Sequence, residues 1–144
     1  MRRLAPFGWI LAAAAAIAAA APPGALGNEA QTPYEILRTA PRFALGKVGF
    51  DEKISREEAA FNALLRGKEP LLQFRRLFSE ATLEGRLYAL LGFKLLNAPA
   101  YREHLQEMVV LPHAEAWCSR GCVTMHLPIS APLKRIDGSD GEVF

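Results

Sequence analysis

Leu83-Glu84-Gly85-Arg86-Leu87-Tyr88-Ala89-Leu90-Leu91-Gly92-Phe93-Lys94-Leu95-Leu96 decides the fold, because it is helical in composition yet apolar around most of its circumference. A helix with no single dry face belongs in the middle of a domain, so its neighbours must wrap it. Thr82 places an N-cap hydroxyl ahead of it, and Asn97 at its end is a residue that takes the left-handed C-terminal conformation. Ala81, Gly85, Ala89 and Gly92 fall near one stripe, where small side chains admit a neighbouring helix. Glycine inside a helix costs about 1 kcal/mol relative to alanine, so Gly85 and Gly92 are assigned a packing role. Arg86 and Tyr88 are the polar exceptions. Arg86 is also assigned structurally, its expected partner being Glu84 or a carboxylate of a neighbouring helix.

Working outward, Pro99 opens a helix expected over 99–110, and upstream Ser55 forms a capping box with Glu58. Ala60, Phe61, Leu64 and Leu65 then recur at helical spacing until Gly67. Pro70 begins a further helix whose Leu71, Phe74, Leu77 and Phe78 share one face. The expected arrangement is two antiparallel helical hairpins, their caps Ser55 and Thr82 about 27 residues apart. Thr32-Pro33-Tyr34-Glu35 caps a short N-terminal helix over 33–39, which Pro41 stops. Residues 42–50, RFALGKVGF, mix β-prone side chains with two glycines and read as an irregular loop or a short strand. Residues 127–133 contain Pro128 and Pro132 and are expected to be extended, against the helices or paired with 42–50. The fold class is therefore mainly α.

Two successive hairpins over 55–110 resemble a short α-α superhelix of the HEAT-like kind, with tighter spacing than those repeats usually have. The segment from Ala81 to Gly92 is also similar to one in uncharacterised secreted bacterial proteins with HEAT-like helices. The resemblance implies a protein-binding surface and no catalysis.

Residues 1–27 carry the features of a secretory signal peptide: Arg2 and Arg3, an Ala/Leu/Ile run from Trp9 to Ala21, and small residues at Ala25 and Gly27. The run is about thirteen residues, against about 20 for a membrane span, so cleavage is favoured over anchoring; an uncleaved segment would tether the protein to a membrane. No cysteine lies near the cleavage point for lipid attachment, and the context of a twin-arginine signal is missing around Arg2-Arg3. The expected location is the periplasm or beyond, reached by the general secretion route. Of the 17 Lys and Arg, two lie in this segment while all 15 Asp and Glu follow it, so the formal net charge of +2 belongs to the signal. The balanced remainder has no basic footprint for nucleic acid. One domain is expected over 28–136, followed by a polar tail over 137–144.

The remaining chemistry concentrates in residues 113–126. Both cysteines, Cys118 and Cys122, are here, and in an oxidising compartment an even count argues for a disulfide, with Gly121 giving the loop its freedom. So small a loop would gain only about 2 kcal/mol from closure. The alternative treats His113, Cys118, Cys122 and His126 as ligands of Zn or Cu, two thiolates and two imidazoles being a soft donor set. The spacing Cys118-x3-Cys122-x3-His126 resembles the loop of binuclear copper centres in respiratory oxidases. That family carries a Met three residues beyond the His, where this chain has Ile129, and builds the loop on a β-sandwich that the helical pattern lacks. A third reading is thiol-disulfide exchange with Arg120 lowering a thiol pKa, although the two-residue spacing and βαβ setting of thioredoxin-type sites are missing. His104, amid Arg102, Glu103 and Gln106, reads as a surface or packed residue. No G-x-S-x-G, H-E-x-x-H or phosphate-binding glycine loop occurs. Residues 137–142 have the acids of a calcium loop at the wrong spacing and read as a solvated terminus. The functional expectation is a non-catalytic structural or interaction domain, without a cofactor, for an unidentified protein partner.

Overall fold

The computed structural model describes residues 31–49, 53–111 and 113–138. The proposed signal, 1–27, lies outside them, as does the tail beyond Gly138. Six helices carry most of the described chain: α1 (Pro33–Arg38), α2 (Arg56–Leu65), α3 (Pro70–Glu80), α4 (Leu83–Leu96), α5 (Ala98–Val109) and α6 (Ser130–Asp137). The mainly α class holds. Joined to the helices are four strands, β1 (Phe43–Val48), β2 (Lys53–Ile54), β3 (Glu115–Gly121) and β4 (Val123–Pro128). They form one mixed sheet of order β2-β1-β3-β4, in which β1 and β3 are parallel and the outer pairs antiparallel.

Short polar side chains set where the helices start. The hydroxyls of Thr32, Ser55 and Thr82 accept the backbone N–H of Glu35, Glu58 and Gly85 at 3.2, 3.0 and 3.2 Å. Each such cap is worth about 1 kcal/mol. Asn97 departs from expectation: its backbone is extended (φ −153°, ψ 91°), and its side chain caps α5 by accepting the N–H of Ala100 at 3.0 Å. One residue thus ends α4 and starts α5, and the reversal needs no left-handed residue.

α4 lies at the centre, with Leu87, Tyr88, Ala89, Leu90 and Phe93 sealed from solvent. A Cβ on Gly85 would stand 2.4 Å from the carbonyl oxygen of Leu37 on α1, and one on Gly92 would stand 2.6 Å from the ring of Phe74 on α3. Both distances are below van der Waals contact, so the two glycines let α1 and α3 approach. The Tyr88 hydroxyl donates to the carbonyl of Ala44 at 2.8 Å and accepts its N–H at 2.9 Å, tying α4 to β1. Burial pushes the Tyr88 phenol well above its ordinary pKa.

The expected pairing of α2 with α3, and the HEAT-like repeat built on it, is not the packing observed. α2 lies chiefly against α1 and α3 against α4, with Phe61 of α2 reaching both Phe74 and Tyr88 at ring separations of 5.6 and 5.9 Å. β1 lies on that side of α2: Ser55, at the start of α2, stands 3.5 Å from the Ala44 carbonyl of the strand. The C-terminal expectation also changes. Residues 127–133 leave β4 at Pro128 and enter α6, with Pro132 in the first turn, where a backbone N–H has no helical acceptor to lose. Ile129, Leu133 and Ile136 are buried by it, and Gly138 closes it at φ 78°.

Candidate functional site

The stretch that sequence reasoning treated as a cross-linked loop is a β-hairpin. Along β3 the side chains alternate, Ala116 and Cys118 buried, Glu115 and Trp117 exposed. Gly121, at φ 54°, takes the first of the two turn positions, where a two-residue hairpin turn of type II′ carries glycine, and Cys122 takes the second. Cys118 and Cys122 are both free thiols, one buried and one exposed. The strand advances about 3.3 Å per residue from Cys118 towards the turn, carrying Cys122 beyond the roughly 4.4–6.8 Å that a bridge spans. The expected disulfide is thus not formed, because pairing of β3 with β1 and β4 stretches the segment a bridge would have to bend.

Burial pushes the Cys118 thiol up to about 11, with Arg135 opposing and Glu84 reinforcing the shift. At neutral pH this thiol is protonated and a poor nucleophile, the opposite of the lowered pKa expected from Arg120.

The four proposed metal ligands do not converge. His126 faces Trp117 across the hairpin, its ring stacked on the indole at 4.7 Å and its Nδ1 2.9 Å from Glu115 Oε2. Strand alternation puts it on the opposite face of the sheet from Cys118. His113 precedes β3 and Cys122 follows it, so the length of the strand separates them. Among the described residues no group of three His, Cys, Asp or Glu side chains is placed to hold a metal ion. The Zn or Cu set His113, Cys118, Cys122 and His126 is not assembled, nor is the binuclear-copper loop it resembled.

Arg86 also differs from expectation. The Glu84 carboxylate accepts the backbone N–H of Trp117 at 3.0 Å, linking α4 to β3 and leaving Arg86 without that partner. Arg86 Nε is closed to solvent and has no hydrogen-bond acceptor. His104 is a packed residue, its ring 4.4 Å from that of Phe78 and 4.7 Å from that of Phe93.

What the hairpin offers instead is an edge. β4 is the last strand of the sheet, and its Val123, Thr124, Met125, His126 and Pro128 are exposed. With a two-residue turn, Arg120 and Val123 exchange both backbone hydrogen bonds and the pattern alternates from there. Thr124 and His126 therefore direct their N–H and C=O groups away from β3. At the foot of β4 an apolar groove of about 330 Å³ is lined by Leu105, Val109, Ile129 and Leu133. Val109 and Val110 beside it are more than half exposed, at 60% and 72%. The alternation Val123-Thr124-Met125-His126-Leu127 is the sequence signal for this strand. No helix among the described residues is long and apolar enough to cross a membrane. No family model, no curated protein and no solved structure matches the chain.

Proposed function

We propose that this chain is an exported, non-catalytic interaction domain that receives an extended segment of a partner protein along the outer edge of β4. The observation that carries this reading is the edge itself: six residues, Val123–Pro128, without one Lys, Asp or Glu among them. Sheet edges facing solvent are usually protected by charge, by proline, by a bulge or by a covering element; Pro128 is such a device only at the end of the strand, and the uncharged stretch before it is suited to strand addition. The groove reaches Pro128 at the end of the strand, and its Leu105, Val109, Ile129 and Leu133, beside Lys134 and Asp137, suit an apolar side chain at the end of such a segment. The occupant is therefore an uncharged extended stretch with apolar residues at alternate positions. Export rests on the character of residues 1–27 and places that partner outside the cytoplasm.

Two measurements test the proposal. Intact mass of the protein from fractionated cells should show a periplasmic species lacking residues 1–27; a full-length cytoplasmic species overturns export. A photo-activated cross-linker at position 124 should capture one partner through an extended segment, and H126P, which removes an outward N–H while sparing the bonds to β3, should abolish the adduct. Equal capture by H126P overturns edge pairing, and an adduct with a second copy of this chain alone replaces the partner by a homodimer.

A further inference from the structure

The two faces of the β3–β4 hairpin carry different chemistry. Ala116, Cys118, Met125 and Leu127 share the face turned to the helices, where Arg135 of α6 and Glu84 of α4 act on the Cys118 thiol. Glu115, Trp117, Thr124 and His126 share the other face. There the imidazole of His126 is already held on two sides. One of its faces lies on the Trp117 indole, with ring centres 4.7 Å and planes 29° apart. Its Nδ1 stands 2.9 Å from Glu115 Oε2, and since an ionised carboxylate only accepts, Nδ1 carries the hydrogen and the bond holds the ring in orientation. Trp117 belongs to β3, so the second face of the imidazole is turned away from β3, towards the open edge of the sheet. Among the described residues no other aromatic ring stacks on it, and the side chain is 43% exposed.

We infer that the segment received along β4 carries an aromatic residue opposite His126, whose ring lies on that outer face and extends the Trp117–His126 stack to three rings. The inference rests on the edge pairing proposed above and adds to it the side chain that the edge selects. Residues opposite each other on neighbouring strands point to the same face, with Cβ atoms about 4.5–5.5 Å apart, within the distance at which aromatic rings pack. An aliphatic side chain matches a flat ring less well, whereas an aromatic one matches its shape and loses few rotamers on binding. Arginine is the competitor, since a guanidinium also stacks on a ring. The carboxylate that would attract it, Glu115, is already engaged by His126. Because side chains alternate, the residues before and after the aromatic one turn to the face of Met125 and Leu127, where apolar side chains fit.

Full-length W9F protein, in which Trp117 is the single tryptophan, reports binding through its own emission. The probes are blocked nine-residue peptides of alternating Thr and Val, with a lysine added at each end for solubility and the central Thr replaced by Ala, Leu, Arg, Phe or Tyr. The Phe and Tyr peptides should bind about fivefold tighter than the other three. H126A keeps the outward N–H and C=O of the strand but deletes the ring, so it should bring all five peptides to the affinity of the Ala peptide, while H126P should abolish the binding of all five. Leu, Ala or Arg peptides that bind as tightly as Phe, yet are lost in H126P, overturn the aromatic selection and leave the edge pairing standing. A preference for Phe and Tyr that survives H126A overturns the role of the imidazole in the same way. Binding that H126P leaves unchanged, or no binding of any peptide up to about 5 mM, overturns the edge pairing and this inference with it.

Discussion

α4 and the β3–β4 hairpin are of similar length and are joined through Glu84 and Trp117, yet one is closed and the other open. In α4 even a missing methyl group has a counterpart: the space at Gly85 belongs to Leu37 and that at Gly92 to Phe74. In the hairpin only Ala116, Cys118 and Ser119 are fully buried, and most of β4 is in solvent. Stability is therefore concentrated in the helix and its wrapping, whereas the surface available to partners is concentrated in the hairpin. The contrast is one of packing and not of composition, since apolar residues occur in both.

Substitutions in the core test the closed half hardest. F74A should lower stability by about 4 kcal/mol in thermal or urea unfolding. It should also change the sign of a second substitution: G92A is destabilising beside the Phe74 ring but becomes neutral or stabilising in the F74A background, where helix propensity alone remains. A penalty for G92A that persists without the ring would break the account of that glycine. G85A should cost about 2 kcal/mol, because the obstacle is the Leu37 carbonyl of the backbone and not a mobile side chain. Y88F leaves the N–H of Ala44 without its partner and its C=O with only the 3.5 Å contact from Ser55, and should cost about 1.5 kcal/mol, with faster amide exchange at Ala44 as its signature.

The boundary between the halves is tested by pH. Cys118 has its folded pKa raised from 9.0 to about 11, so the stability it confers is complete below pH 9 and is lost as pH rises towards 11. Unfolding measured at steps across that window should show this decline, and C118A should remove the part between pH 9 and 10, the loss above that being shared with Tyr88 and Tyr101, whose phenols are also raised by burial. The smallest effect belongs to the open half. W117A should change stability by no more than about 0.5 kcal/mol, since the indole is 47% exposed; a larger loss would show that the Trp117–His126 stack supports the sheet.

The sequence made the helices legible where a side chain acts locally. Thr32, Ser55 and Thr82 announce helix starts because each bonds a backbone N–H three residues on, and the even apolarity of α4 announces a central helix. Pairing was less legible. Nothing local in Phe43–Val48 shows that it lies beside β3, and the caps of α2 and α3 say nothing of which helix each will cover. In the candidate site the cysteines suggested bonding by proximity in sequence, but strand extension separates neighbours that a turn would join. Pro132 does not exclude α6, because the prohibition on proline applies to a helix interior and not to its first turn. Spacing offers Arg86 either Glu84 or a neighbouring helix's carboxylate, but Glu84 accepts instead from the backbone of β3.

The parallel pairing of β1 with β3 bears on how the chain folds. Phe43 and Ala44 sit beside Cys118 and Ser119 only after α2, α3, α4 and α5 have all been traversed, so the central pair of the sheet closes the longest loop in the described fold. The β3–β4 hairpin, by contrast, closes locally across a two-residue turn. Such a topology sets a slow, non-local step behind fast local ones. Until β3 arrives, one side of β1 has no backbone partner, and a nascent or threading chain would present two unpaired edges at once, β1 and β3, each matched only by the other.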